Sequence, residues 1–359
     1  MTERSLNLDF IRWLAALAVV AGHVRSILFE DYNPNVQNPF FKLIYFLTGF
    51  GNQAVIIFFV LSGYLIGKSI IDKYNSRTFN LYEYLKARFV RIYIVLIPAL
   101  LLTYFMDSLG NMIDHTGIHK TCSYVISFQK DPASRLTLLH LTSSLIMLQN
   151  IWLPPFGSNG PLWSLAPEFW YYLVFPLIVG LLFLKAQKIK SAIYLIPIIF
   201  FFYFIPNWVI SYFVIWLCGL VPYFIKKQGL FIKYLLIIAF IITLAYSRIY
   251  NLSFGGEFLI SILLAFIISN FDNNIEKPNH NRLHKKLASF SYSLYLTHYP
   301  LALFLFCFID EYIISIIKVS MNTFSLFIYI AVIITLYLFS YGFAKITEYK
   351  TDKVRRRLP

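Results

Sequence analysis

The chain has 359 residues, of which 58% are hydrophobic, 19% aromatic and only 13% charged, and its mean hydropathy is +0.66. This excludes a water-soluble globule, and at about 20 residues per crossing helix the length holds roughly ten or eleven spans and no sizeable soluble domain. The 31 Lys and Arg against 17 Asp and Glu leave +14, which in a membrane chain reports sidedness rather than nucleic acid, and no nucleic-acid partner is expected. Cys122, Cys218 and Cys307 are odd in number and two of them lie in apolar segments, so no disulfide framework is implied.

The first apolar stretch, residues 6–27, carries Asp9 and Arg12 and lacks a small-residue cleavage site, which predicts a permanent first span rather than a removed leader. Further apolar segments follow near 40–67, 89–106, 138–153, 161–184, 191–206, 208–225, 231–247, 256–271, 287–308 and 323–344. Segment 138–153 is short and runs into the uncharged, Pro- and Gly-rich stretch 154–161. It is expected to re-enter beside a cavity near the outer face rather than to cross. The reading is therefore an all-α integral membrane protein with about ten transmembrane helices plus a re-entrant segment. With the N-terminus placed in the cytoplasm, 24 of the 31 basic residues fall in the inner connections and seven in the outer ones, which predicts that both termini are cytoplasmic. Residues 1–345 form the membrane domain and 346–359 a basic cytoplasmic tail on this reading. No internal repeat of 20–50 residues is evident.

Ionisable residues inside the spans mark where chemistry could lie, because charge at membrane depth is costly and faces a bundle interior or a water-filled cavity. Arg12 and His23 are eleven residues apart, so on a helix they share one face to within about 20° and lie about 16 Å apart along the axis. Asp9, three residues before Arg12, can orient its guanidinium. Arg12 also reads as a snorkelling anchor and His23 as an interfacial residue. The stretch PLWSLAPEFWYYLVFP places Glu168 about two turns into a span, where it could orient His23, bind a hydroxyl, or pair with an Arg for structural reasons. His298 stands among Ser291, Ser293, Tyr295 and Thr297, all able to hydrogen-bond between helices. Arg88 and Arg91, one turn apart with Lys86 beside them, suit a polyphosphate and also suit a positive-inside anchor. Asp114, His115, His119 and Cys122 have zinc-like spacing, but Gly117 weakens the helix such a site wants; His280 and His284 are a weaker pair, and no metal is expected.

Taken together, these blocks resemble the acyltransferase-3 family of integral membrane transacylases over nearly the whole chain. LDFIRWLAALAVVAGH (Leu8 to His23) is similar to its first-span signature and FFVLSGYLI (Phe58 to Ile66, with Ser62) to its second-span motif. Arg88 and Arg91, LQN at Leu148 to Asn150, the block holding Trp163, Ser164 and Glu168, and SYSLYLTHYPL around His298 follow in family order. Ala166-Pro167 departs from the Ser-Val more usual before the acid. The resemblance implies a membrane O-acyltransferase of the bacterial cytoplasmic (inner) membrane. It would move an acetyl group from cytoplasmic acetyl-CoA to a hydroxyl of a surface glycan or its lipid-linked precursor, such as O-antigen, capsule or exopolysaccharide. On that reading Arg12, Arg88 and Arg91 engage the CoA phosphates, and His23, oriented by Glu168, is a general base or a transient acyl carrier. Asp9, Ser62, Trp163, Ser164 and His298 support them. Trp152, Trp163, Trp170 and Tyr171 could stack on a sugar or belong to an interfacial belt. No appended soluble module is expected. The rival reading is a transporter or flippase for a lipid-linked sugar or small anion, with Arg12, His23 and Glu168 as a proton relay; the lack of an inverted repeat counts against it.

Overall fold

A computed structural model describes residues 6–34, 37–115, 117, 131–183, 188–250, 253–271, 282–316 and 318–358. Helices follow one another in chain order: α1 Leu6–Leu28, α2 Pro39–Leu47, α3 Gly51–Ser62, α4 Lys68–Asn75, α5 Leu81–Ile113, α6 Leu138–Leu145, α7 Leu165–Phe183 and α8 Lys188–Phe204. They continue as α9 Asn207–Cys218, α10 Val221–Phe224, α11 Leu230–Tyr250, α12 Phe254–Ser269, α13 Arg282–Ser289, α14 Ser291–Tyr312, α15 Thr323–Ile346 and α16 Thr351–Arg357. Among the described residues there is no strand, only the isolated bridges Phe29 to Val319 and Gln149 to Leu153.

The protein is an all-α integral membrane protein. Among the described residues eight stretches are long and apolar enough to cross a bilayer, and two shorter apolar helices, Ala192–Phe204 and Phe254–Ser269, lie where the sequence placed 191–206 and 256–271. In an apolar 18-residue stretch of α11 only 6% of the residues are buried, so its apolar side chains are left for lipid, whereas 67% of such a stretch of α14 is buried. The expected 40–67 span falls within one apolar stretch, Pro39–Asn75, built of α2, a break at Thr48 to Phe50, then α3 running through a π turn at Gly63–Gly67 into α4. Thr48 caps α2 by donating its hydroxyl to Ile44 O at 2.7 Å. The 138–153 segment holds one eight-residue helix, α6, about 12 Å long and too short to cross. Beyond it the chain is irregular, with Met147 at φ 59° and Asn150 at φ 61°.

The described residues form two compact units. The first draws on 1–15, 52–88 and 167–288; α12 packs there on α9, α10 and α11, and the unit holds a buried cluster of Phe59, Tyr171, Phe213 and Trp216. The second draws on 16–51, 89–166 and 289–359, with α14 packed on α15. In that pair Thr297 and Ser340 share a hydroxyl hydrogen bond of 2.9 Å, and Tyr329 OH donates to Ala21 O at 2.9 Å. Asn322 and Ser325 form a reciprocal cap at the start of α15.

Candidate functional site

Arg12 and His23 stand on one uninterrupted helix, α1, as their spacing predicts. Asp9 lies in its first turn, and Arg12 Nη1 donates to Asp9 Oδ1 at 3.4 Å.

In the first unit, α3 reaches Ser62 where the π turn begins, a helix irregularity that recurs at functional sites. A Cβ on Gly63 would lie 1.8 Å from Trp216 O, and one on Gly219 would lie 2.3 Å from Val60 O, so only glycine lets α9 approach this closely. The approach brings Trp216 Nε1 to donate to Ser62 Oγ at 3.1 Å. Ser62 Oγ lies 3.0 Å from Tyr172 OH, and Tyr172 OH donates to Glu168 Oε1. An indole only donates, and with Trp216 donating to Ser62 and Tyr172 to Glu168 the Ser62 hydroxyl is left as the donor to Tyr172. The Arg88 guanidinium stacks over the rings of Tyr84 and Tyr172, 5.7 and 5.9 Å from their centroids, and its Nε is buried without a hydrogen-bond partner among the described residues. Pro167 falls in the first turn of α7, where helix amides have no partner four residues back within the helix, so the departure from Ser-Val leaves Glu168 in place.

In the second unit, His23 Nδ1 lies 2.8 Å from His298 Nε2, with the two rings within 8° of parallel. His298 is fully buried, and its Nδ1 lies 3.0 Å from Leu294 O and 2.9 Å from Tyr295 O. Tyr299 meets the His23 ring edge-on. His298 thus holds the Nδ1 side of the His23 ring in orientation. Tyr295 OH donates to Pro161 O at 2.7 Å and lies 2.7 Å from Ser164 Oγ, fastening the Trp-Ser-Leu turn beside the pair. Pro300 has no N–H, which leaves the Leu296 carbonyl without its helical donor, and Asn159 Nδ2 fills that place at 2.9 Å while also reaching Thr103 Oγ1 at 3.0 Å. Asp107 accepts both the amide and the hydroxyl of Ser158 at 2.6 Å. A Cβ on Gly157, at φ 56°, would lie 2.2 Å from Asp107 Oδ2. Irregular backbone at 147–164 is satisfied by backbone turns and, at Phe156, Ser158, Pro161 and Leu162, by side chains, as burial requires. Outside the spans, burial pulls the Arg135 guanidinium below its ordinary pKa while Asp107 opposes the shift.

Arg91 is engaged otherwise than as a free phosphate ligand. Its Nη2 donates to Glu348 Oε1 at 2.6 Å, and it stacks 5.6 Å over Tyr292. Glu348, in the segment read as a basic cytoplasmic tail, is 4% exposed. Trp163 is half-buried in the turn Gly160–Ser164. Tyr171, offered as a sugar platform, is fully buried and donates to Val209 O at 2.5 Å, whereas Trp152 is 58% exposed. His284 Nδ1 accepts from Trp13 Nε1 at 2.9 Å. His119, Cys122 and His280 lie outside the described residues, and among the described ones no three His, Cys, Asp or Glu are placed to hold a metal ion.

Sequence reasoning missed Tyr172, Trp216, Asn159, Asp107 and Glu348. Asp107 alone carried a legible signal, an acid inside an apolar helix. The others are ordinary residues until the fold supplies their partners.

An imidazole pair and a carboxylate held within apolar helices define the class as a multi-pass membrane protein with ionisable groups built into its interior. An acyltransferase domain family matches residues 5–344, so the chain belongs to the acyltransferase-3 family. It is 31% identical over 181 residues to an O-acetyl transferase of Shigella phage Sf6, covering 48% of this chain and 45% of that protein. It is 30% identical over 177 residues to the acyltransferase MdmB of Streptomyces mycarofaciens, covering 48% and 38%. An uncharacterized protein of Haemophilus influenzae is 33% identical over 150 residues, covering 41% and 56%. The chain thus spans about half the length of the curated relatives it matches. No solved structure matches it.

Proposed function

We propose that this protein is a membrane O-acyltransferase that moves an acyl group, acetyl in the first instance, from cytoplasmic acetyl-CoA to a hydroxyl of a surface glycan or its lipid-linked precursor. Membership of the family and the likeness to an O-acetyl transferase support the reaction type. The observation that carries the site is His23, a half-buried imidazole with one ring nitrogen tied to His298 and the other with no hydrogen-bond partner among the described residues. Such a ring suits a general base on the acceptor hydroxyl or a transient acyl carrier. Arg12 and Arg88 are the groups proposed to hold the CoA phosphates. Arg88 is the stronger of the two, since two tyrosine rings fix its guanidinium and its Nε has no hydrogen-bond partner among the described residues. Arg91, paired with Glu348, contributes charge and anchors the C-terminal segment. Glu168, supplied with an O–H by Tyr172, is proposed to accept a hydrogen bond from a substrate hydroxyl. A bacterial inner-membrane location follows from the use of a cytoplasmic donor.

The test is NMR and mass spectrometry of surface polysaccharide from cells lacking the gene, complemented with wild type or with His23→Ala at matched membrane levels. Acyl signals restored by wild type alone are expected and identify the modified hydroxyl. Equal restoration by His23→Ala removes His23 from the chemistry, and no acyl difference in any strain overturns the glycan acylation.

A further inference from the structure

The second nitrogen of each histidine is decided by what its first one touches. His298 Nδ1 faces two backbone carbonyls, of Leu294 at 3.0 Å and Tyr295 at 2.9 Å, and a carbonyl oxygen can only accept. Nδ1 therefore carries the proton, and in the neutral ring Nε2 is a bare lone pair. His23 Nδ1 lies 2.8 Å from that lone pair, and two lone pairs do not meet at this distance, so His23 Nδ1 is the donor. A second proton on His298 would instead leave a cation at a fully buried position with no carboxylate partner among the described residues, which desolvation opposes. Every link thus points one way, and the end of the chain is the lone pair on His23 Nε2.

We propose, resting on the acyl-transfer reading above, that His298 is a positioning residue that fixes the tautomer of His23 and makes Nε2 the reacting atom. As a base, Nε2 takes the acceptor hydroxyl's proton while that oxygen bonds to the thioester carbonyl carbon. The C–S bond breaks, and the departing CoA thiolate takes the proton back from Nε2. As a carrier, Nε2 itself bonds to the carbonyl carbon and the thiolate leaves. The acceptor oxygen then displaces Nε2 from the acyl carbon, its proton passing to the thiolate. In both routes His23 becomes cationic, and its Nδ1–H is held throughout by the His298 lone pair. A neutral imidazole does here what a carboxylate does in a hydrolytic triad, without a formal charge on the positioning residue at membrane depth. Tyr295 and the Pro161 to Ser164 turn it fastens keep the carbonyl side of the relay in place.

Two measurements on the full chain in lipid nanodiscs test this. First, ¹⁵N–¹H long-range correlation of histidine-labelled protein, with His23 assigned by its loss in His23→Gln, reads the tautomer without any turnover. A protonated Nδ1 and bare Nε2 are expected, and a bare Nδ1 overturns the proposal. Second, His298→Leu and His298→Gln are compared with wild type, using isotope-labelled acetyl-CoA and lipid-linked glycan extracted from the same cells. Gln keeps both an acceptor for His23 and a donor for the carbonyls. We expect His298→Leu to lower kcat about 100-fold with the KM for acetyl-CoA within about twofold, and His298→Gln to recover at least about a tenth of wild-type kcat. Equal inactivity of Leu and Gln variants that both elute as folded protein overturns the positioning role, as does full activity of His298→Leu. If wild type transfers no acyl group while its His23 tautomer is as drawn, the acyl-transfer reading fails and the tautomer assignment stands.

Discussion

Glu348 receives Arg91 on one carboxylate oxygen, at 2.6 Å, and the amide and hydroxyl of Ser293 on the other, at 3.0 and 2.8 Å, so one acid ties the C-terminal segment to α5 and to the first turn of α14. The Glu348 side chain is 2% exposed and that of Arg91 39%, so the Ser293 side of this junction is the drier and dominates its energy. Glu348→Ala leaves buried donors without an acceptor and is expected to cost about 2–3 kcal/mol. Glu348→Gln keeps an acceptor for Ser293 and is expected to cost less. Thermal unfolding in detergent checks this, and an unchanged Tm for Glu348→Ala refutes it.

The one-way chain from Trp216 to Glu168 makes an ordered prediction. Tyr172→Phe removes the O–H that reaches the carboxyl group and is expected to lower transfer by about tenfold, the scale of one buried hydrogen bond. Trp216→Phe acts two links further off and is expected to cost about two- to threefold, with Ser62→Ala between them. Labelled acetyl transfer by each purified variant decides it, and a larger loss for Trp216→Phe than for Tyr172→Phe reverses the order.

Gly63→Ala places a methyl group 1.8 Å from a backbone oxygen that has no rotamer to yield, so no monodisperse protein is expected from the membrane. Gly51→Ala meets nothing within 4 Å and is the matched control. Size-exclusion profiles of fluorescent fusions distinguish them, and a normal Gly63→Ala profile means that α3 and α9 can separate at little cost.

Asn159 and Pro300 form a testable pair. Asn159→Leu deprives the Leu296 carbonyl of its donor and is expected to cost about 1–3 kcal/mol. Pro300→Ala restores a helical N–H to the same carbonyl, so the double variant is expected to lose less than the sum of the two. Strict additivity of Tm shifts shows that the carbonyl is satisfied in some other way.

Arg88→Ala is expected to weaken binding of labelled acetyl-CoA about tenfold, the scale of a charge-assisted contact. The single change is the cleaner one, because Arg91→Ala also breaks the junction with Glu348. Unchanged affinity removes Arg88 from the donor site.

Membrane character, most helix positions and the residues worth examining were legible from composition and from ionisable groups placed in apolar runs, since both follow from transfer energies that act on each segment alone. The Arg12 to Asp9 contact was legible for the same reason, being local to one helix turn. The break at Thr48 was not, because a single apolar run conceals it until Gly22 packs against the turn, where a Cβ would lie 3.1 Å from Thr48 O. Glu348 read as part of a charged tail, and only the proximity of Arg91 and Ser293 makes it a buried acid.

By itself, then, the sequence determined that the chain lives in a membrane, which ionisable residues lie within its apolar helices and which family it resembles. The tertiary structure alone decided the partners. His23 leans on His298, 275 positions away in the chain, and Glu168 receives its O–H from a tyrosine fixed by Ser62 and Trp216. Hydrogen-bond direction depends on which atoms stand within about 3 Å, and no spacing along the chain encodes a distance between separate helices.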